Sequence, residues 1–214
     1  MKKLYIKRSI SEYLIKNKWQ LCTVFCMLLL GTVIGTMISV SMDFSESSAM
    51  GEYISNFVSA YNLQQIDRGS IFKFSAYNNI KTTLIIWASG LWIGLLPLNL
   101  IKVGAHGYKL GFSTALLVRE FAVKGTIFAV ASALPQIFVA LPALIAYSIF
   151  NINFSISQRQ SKSRGLSSNI KTKNYVKNLI YLVGLITLSF FLAFLDAYVI
   201  PIILKPICSI WGKY

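Results

Sequence analysis

The sequence predicts an all-α integral membrane protein, a polytopic bundle of about five transmembrane helices. Of its 214 residues, 55% are hydrophobic and 13% are charged, which is more apolar surface than a soluble domain of this size can bury. The 21 Lys and Arg residues, which give a net charge of +14, gather in short blocks between long apolar runs. This pattern is typical of membrane proteins, so nucleic acid is not an expected partner.

The spans follow from length, because roughly 20 apolar residues in a helix cross the bilayer core. We expect a single membrane domain with spans at about 19–41, 82–101, 103–118, 125–150 and 178–200, an outer loop at 42–81 and a basic cytoplasmic loop at 151–177. A cleaved signal peptide is the alternative for the first run, since Ser39 and Ser41 have the spacing of a cleavage site. The run exceeds the roughly 7–15 residues of a signal core, which favours an uncleaved anchor.

The basic residues predict the orientation, because Lys and Arg near span ends stay in the cytoplasm. With a cytoplasmic N-terminus and five crossings, 14 of the 21 basic residues fall inside. The C-terminus is then extracytoplasmic. The cytoplasmic blocks would face an inner leaflet of anionic lipid, which makes the bilayer itself an expected partner.

The third segment, 103–118, is expected to be a short Gly-rich helix. Gly104, Gly107 and Gly111 place a stripe without side chains on one face, which suits close packing against another helix. A re-entrant hairpin is the alternative. It would reverse the following crossing and place the basic loop at 151–177 outside, against the charge rule.

Glycine and proline also shape the neighbouring segments. Gly90 and Gly94 form a GxxxG pair that suits packing within the chain or a homo-oligomer. Pro135 and Pro142 each remove a backbone hydrogen bond, and Gln136 can satisfy a freed carbonyl. We therefore expect a kinked fourth helix.

Two features predict contacts near the outer side. Tyr53, Phe57 and Tyr61 recur at helical spacing in the outer loop, and such a face lies in the membrane interface, packs on its own bundle or meets a partner. Asp196 is the one acidic residue within a predicted span. It lies close to the outer end, where helix packing or partner contact is its expected role.

Catalytic groups are scarce in the sequence. His106 is the only histidine, no set of His, Asp and Glu has metal-ligand spacing, and neither GxSxG nor HExxH occurs. We expect no enzyme activity, no metal and no cofactor. Two other hypotheses stay open: an intramembrane protease that pairs a serine with His106, and a transporter or channel subunit whose path is lined by the kinked fourth span and Asp196.

A family resemblance rests on an ordered set of motifs. Gly90 to Pro97 reads GLWIGLLP, Gly104 to Phe112 reads GAHGYKLGF, and Ser132 to Gln136 reads SALPQ, followed by Leu-Pro-Ala at 141–143. Over nearly the whole chain, this order resembles the stage II sporulation protein M family of endospore-forming bacteria. More distant relatives have Pro-His at positions 135–136 and a Glu where this chain has Ala140, so the resemblance implies no ion-linked role.

The resemblance implies a membrane scaffold of the engulfment machinery. In that family, stage II sporulation proteins D and P are the partners that cut peptidoglycan, D as a lytic transglycosylase and P as an amidase and endopeptidase. The M protein assembles and localises them in the septal and engulfing membrane of the mother cell, and is not itself the hydrolase. No cofactor is implied.

Overall fold

The computed structural model describes residues 17–62, 67–163 and 168–211, and all its regular elements are helices. They are α1 (Lys18–Ser41), α2 (Phe44–Asn62), α3 (Arg68–Leu91), α4 (Leu96–Pro135), α5 (Leu141–Ser163), α6 (Ser168–Phe194) and α7 (Ile200–Trp211). A 3-10 turn at Ile93–Leu95 precedes α4, and π-helical turns at Gln136–Ala140 and Leu195–Val199 join α4 to α5 and α6 to α7. These elements confirm the prediction of an all-α chain.

Three helical stretches of the described residues are long and apolar enough to cross a membrane: Lys18–Ser41, Ile93–Gln160 and Asn178–Lys205. The middle stretch has 68 residues. At ~1.5 Å per residue this is about 100 Å of helix, more than three times the thickness of a bilayer core. It therefore has to fold back on itself. The number of five crossings stays a prediction.

The chain folds back at Ala122, where φ is 48° and ψ is −122°. Non-glycine residues rarely adopt such a positive φ, and the helix breaks there. Leu117 packs with Phe128 on the other side of the break. Farther away, Asn99 Nδ2 donates a hydrogen bond of 3.3 Å to the carbonyl of Ser148. These pairs at matching distances from Ala122 define an antiparallel helical hairpin.

The predicted boundary between the second and third spans is wrong. Residues 82–101 do not form one helix, because α3 ends at Leu91 and the turn at Ile93–Leu95 follows. Apolar residues continue through that turn, so hydropathy gave no sign of it. Pro97 lies in the first turn of α4, where the missing N–H breaks no hydrogen bond.

The segment 103–118 is neither short nor re-entrant. It lies within a helix whose dihedral angles are regular from Leu96 to Phe121, the residue before the break. These 26 residues extend for about 39 Å, which is enough to cross a bilayer core. The predicted short third helix is thus corrected to a long one.

The first half of α4 lies parallel to α1, with the two backbones in contact. The contact is lined by five glycines, Gly31, Gly35, Gly104, Gly107 and Gly111, which we term the glycine seam. A Cβ atom would overlap a carbonyl oxygen of the opposite helix at four of them: Gly31 at Gly104, Gly35 at Tyr108, Gly107 at Leu28, and Gly111 at Thr32. Glycine is required there because only a missing side chain permits this approach.

α5 packs onto the same pair of helices. Val24, Leu28, Val103 and Ile149 form a fully enclosed apolar cluster in which α1, α4 and α5 meet. α5, in the second arm of the helical hairpin, therefore contacts both α1 and α4 beside the glycine seam.

We expect Gly107→Ala to lower the thermal stability of the protein in detergent, at a cost of roughly 1–3 kcal/mol, since the new methyl would overlap the Leu28 carbonyl. Gly184→Ala is the matched control, because a Cβ at Gly184 meets nothing within 4 Å. Gly104→Ala should lie between them, since its Cβ would lie 3.4 Å from the Met27 carbonyl oxygen. Equal melting temperatures for all three variants would contradict the glycine seam.

Candidate interaction surface and polar cavity

α2 packs over the end of the bundle where α1 ends and α4 reverses, which we term the outer end from the predicted orientation. Its buried face contains Ser47 and Gly51, and half-buried Ile54 continues the same face. A Cβ at Gly51 would lie 3.0 Å from the carboxylate of Glu120. Ile54 packs against the apolar cluster that contains Leu117. One face of α2 is therefore fixed to the hairpin.

The remaining surface of α2 is open. Phe44 is 80% exposed and Tyr53 is 76% exposed. At about 3.6 residues per turn the two side chains lie on opposite sides of the helix, and Met50 is half exposed beside Tyr53. A shallow groove of about 780 Å³ runs beside Met50 and Tyr53 and has Glu46 on its wall. We use the term outer apolar face for the exposed apolar surface of α2, which comprises Met50 and Tyr53 beside the groove and Phe44 on the other side of the contact with the hairpin.

The predicted aromatic stripe is only partly described by the structure. Tyr53 lies on the outer apolar face, and the helix continues through the positions of Phe57 and Tyr61. The side chains of Phe57 and Tyr61 lie outside the described part of the structure. Their role in partner contact stays a prediction.

Arg119 fixes the end of α1. Its Nη1 atom donates to the carbonyl oxygens of Ser39 at 3.0 Å, Val40 at 3.2 Å and Met42 at 3.0 Å. The last carbonyls of a helix have no partner within the helix and carry partial negative charge, so a guanidinium suits this position. Arg119 Nε also lies 3.9 Å from Glu120 Oε1. Arg119 and Glu120 thus connect the end of α1 with the surface on which α2 packs.

Arg119 follows directly after the predicted third span at 103–118, and the sequence pattern indicated no specific contact for it. Its acceptors lie 77 to 80 positions earlier in the chain, so no local pattern revealed them. The one available signal was its position, a single Arg at the end of a long apolar run.

Asp67 begins α3 on the same side of the bundle. Its carboxylate accepts hydrogen bonds from Gly69 N at 2.9 Å and Ser70 Oγ at 2.6 Å. The hydrogen bond from Ser70 is the largest cause that lowers the pKa of Asp67 below its usual range, and the bond from Gly69 is the next. The carboxylate is therefore a charged N-cap for the helix.

The two predicted prolines lie on either side of a π-helical turn. α4 ends at Pro135, the turn occupies Gln136–Ala140, and Pro142 lies in the first turn of α5. The chain stays helical, and the wide turn absorbs the lost hydrogen bonds. The side chains of Pro135 and Gln136 lie outside the described part of the structure.

Gly90 and Gly94 do not share a helical face, which corrects the predicted GxxxG surface. Gly90 is buried, and a Cβ there would overlap the side-chain amide of Asn151 on α5. Gly94 lies in the 3-10 turn, where a Cβ would approach only Trp92, at 3.8 Å. This pair therefore does not form a GxxxG surface for a second copy of the chain. A homo-oligomer stays a prediction, but the Gly90–Gly94 pair no longer supports it.

Asp196 makes a hydrogen bond within the chain. It lies in the π-helical turn after α6, half buried, and its carboxylate accepts a hydrogen bond from Ser75 Oγ on α3. Asn79 Nδ2 donates to the same Ser75 oxygen at 3.3 Å. Of the two roles expected for Asp196, the structure shows a helix-packing link between α3 and the end of α6, and partner contact stays a prediction.

A partly open cavity of about 80 Å³ lies between α3, α4, α5 and α6 and is lined by six polar and seven apolar residues. We term it the polar cavity from its polar side chains. Its polar lining residues are Asn79, Thr82, Thr83, His106, Tyr147 and Ser189. The hydroxyls of Thr83 and Ser189 lie 3.0 Å apart. The Tyr147 hydroxyl and His106 Nε2 are both buried, and neither has a hydrogen-bond partner among the described residues. The sequence had marked His106 only as a possible protease residue, whereas it lines this cavity.

No metal-ligand cluster surrounds the cavity in the described ranges. Across residues 17–62, 67–163 and 168–211, no three His, Cys, Asp or Glu side chains come close enough to hold a metal ion. The arrangement at the outer end is suited to contact with another protein, and the cavity is suited to a small polar ligand.

We expect Arg119→Met to lower the melting temperature, because it leaves the last carbonyls of α1 without a donor and costs roughly 1–3 kcal/mol. Arg159→Met is the matched control, since Arg159 is exposed near the end of α5. Thermal unfolding of both variants in the same detergent measures the difference. Equal losses in the two variants would show that Arg119 contributes only its charge.

Comparison with known proteins identifies a family. The model of the family described as Stage II sporulation protein M matches residues 23–201. No curated protein and no solved structure matches the chain. The match runs from α1 to the beginning of α7 and therefore includes the glycine seam, the reversal at Ala122 and the cavity. The chain belongs to the stage II sporulation protein M family.

Proposed function

We propose that this protein is a membrane scaffold that assembles and localises a peptidoglycan-degrading complex with stage II sporulation proteins D and P. The site of action is the septal and engulfing membrane of the mother cell during endospore formation. Family membership supports the coarser part of this proposal, a membrane protein of sporulation. On this proposal the partners cut the cell wall, and the present chain holds them in place.

The outer apolar face carries the proposal. Phe44 and Tyr53 are among the most exposed large side chains of the described residues. Exposed aromatic side chains on a fixed helix are typical anchors of protein contacts. A groove beside them offers depth for a side chain of the partner.

The contacts that hold α2 on the hairpin favour tighter binding of a partner to the outer apolar face. Gly51 lies directly over Glu120, and Ile54 packs on the hairpin, so α2 is ordered before any partner arrives. Binding to a preordered surface loses less conformational entropy than binding to a flexible loop. A scaffold also has to hold its hydrolases at a set distance from the membrane, and a fixed helix provides this.

Several parts of the structure match what a scaffold needs. A scaffold requires shape, apolar contact area and anchoring. The glycine seam fixes the shape, and the outer apolar face provides the apolar contact area. The long apolar stretches anchor the chain in the membrane.

We expect the double variant Phe44→Ala, Tyr53→Ala to reduce recovery of proteins D and P from detergent-solubilised sporulating cells by roughly tenfold or more, as loss of two aromatic anchors predicts. The amount of the scaffold in the membrane should not change, because both side chains are exposed. Co-purification followed by mass spectrometry measures the recovery.

Trp19→Ala is the matched control for this experiment. Trp19 is 77% exposed, but lies at the opposite end of α1. Its loss should leave the recovery of both hydrolases within about twofold of wild type, because rim or remote contacts contribute little. Full recovery with the double variant would rule out the outer apolar face as the docking surface.

A further inference from the structure

The polar cavity contains groups that require a hydrogen-bond partner. Tyr147 is 5% exposed, and its hydroxyl meets no donor or acceptor among the described residues. The Nε2 atom of His106, on α4, is also buried and also has no hydrogen-bond partner among the described residues. Buried polar atoms in native proteins nearly always have a partner, and where no side chain supplies one, bound water does.

The size and lining of the cavity fit water. Its volume of about 80 Å³ would accommodate roughly two or three water molecules, each of which takes up ~30 Å³ in the liquid. A buried water needs two to four polar partners. Tyr147, His106 and the Thr83–Ser189 pair supply them from four different helices.

A chain of hydrogen bonds connects the cavity with the outer end. Asp196 accepts from Ser75, and Asn79 donates to Ser75 from one turn farther along α3. Asn79 also lines the cavity. Polar groups thus continue from the π-helical turn after α6 to the side chains that face His106.

We propose that this cavity is a water-binding site, in which bound water supplies the missing hydrogen bonds of Tyr147 and His106. The Asp196–Ser75–Asn79 chain is the polar route between this water and the outer end. The inference does not rest on the scaffold proposal, because it concerns the interior of the bundle and no partner. The competing outcome is a dry cavity with unpaired polar groups.

His106 is a direct probe of this site, because it is the only histidine in the sequence. Protein labelled with ¹⁵N-histidine and placed in phospholipid nanodiscs gives one imidazole to observe by nuclear magnetic resonance. We expect transfer of magnetisation from water to the ring protons of His106. No transfer in the wild-type protein would overturn the proposal.

Two substitutions test whether the water that transfers magnetisation to His106 lies in the cavity or outside it. Ala143→Leu places three extra carbons in the cavity wall and should reduce the transfer roughly fivefold, since it displaces the water. Ala105→Leu makes the same change at an exposed neighbour of His106 and should leave the transfer within about twofold of wild type. Undiminished transfer in Ala143→Leu, or a loss confined to Ala105→Leu, would contradict a site inside the bundle.

A third variant covers the case in which Ala143→Leu does not fold. Thr83→Val keeps the volume of the side chain and removes one hydroxyl from the lining. It should lower the transfer at least about twofold, because the water loses a partner. Transfer equal to wild type in a folded Thr83→Val protein would also count against the site.

Discussion

The parallel contact between α1 and α4 through the glycine seam is the constraint on which the remaining structure depends. Lipid tails are as apolar as aliphatic side chains, so helices in a bilayer associate mainly through close van der Waals packing. Four glycines whose Cβ atoms would overlap the opposite backbone permit such packing along about two turns of each helix. α5 then covers the same pair and encloses Val24 and Val103.

This contact determines the geometry of the outer end. With α1 fixed in register, its last carbonyls lie within reach of Arg119, and Glu120 follows directly under Gly51 of α2. The same side of the bundle thus holds α2, on which Tyr53 is exposed. A scaffold function fits this arrangement because the contact surface is rigid while the apolar stretches anchor the chain in the membrane.

Composition and charge pattern predicted the all-α membrane class, and spacing alone placed Gly107 and Gly111 on one face. The second half of the seam was visible but overlooked, since Gly31 and Gly35 are themselves a GxxxG pair in the first apolar run. Other features left no local signal. Apolar residues continue across the turn at Ile93–Leu95, and the bond between Ser75 and Asp196 joins positions 121 residues apart. Pairings of this kind depend on the tertiary fold, which hydropathy and spacing do not encode.

Photocrosslinking from two adjacent positions of α2 tests the central claim most directly. A photoreactive amino acid replaces Tyr53, which is exposed, in one strain and Ile54, which packs on the hairpin, in another. During sporulation, position 53 should crosslink to a peptidoglycan hydrolase, whereas position 54 should crosslink within the chain. If position 53 captures no hydrolase while the protein is present in the membrane, or if both positions capture it equally, the outer apolar face is not the docking surface and the scaffold account fails.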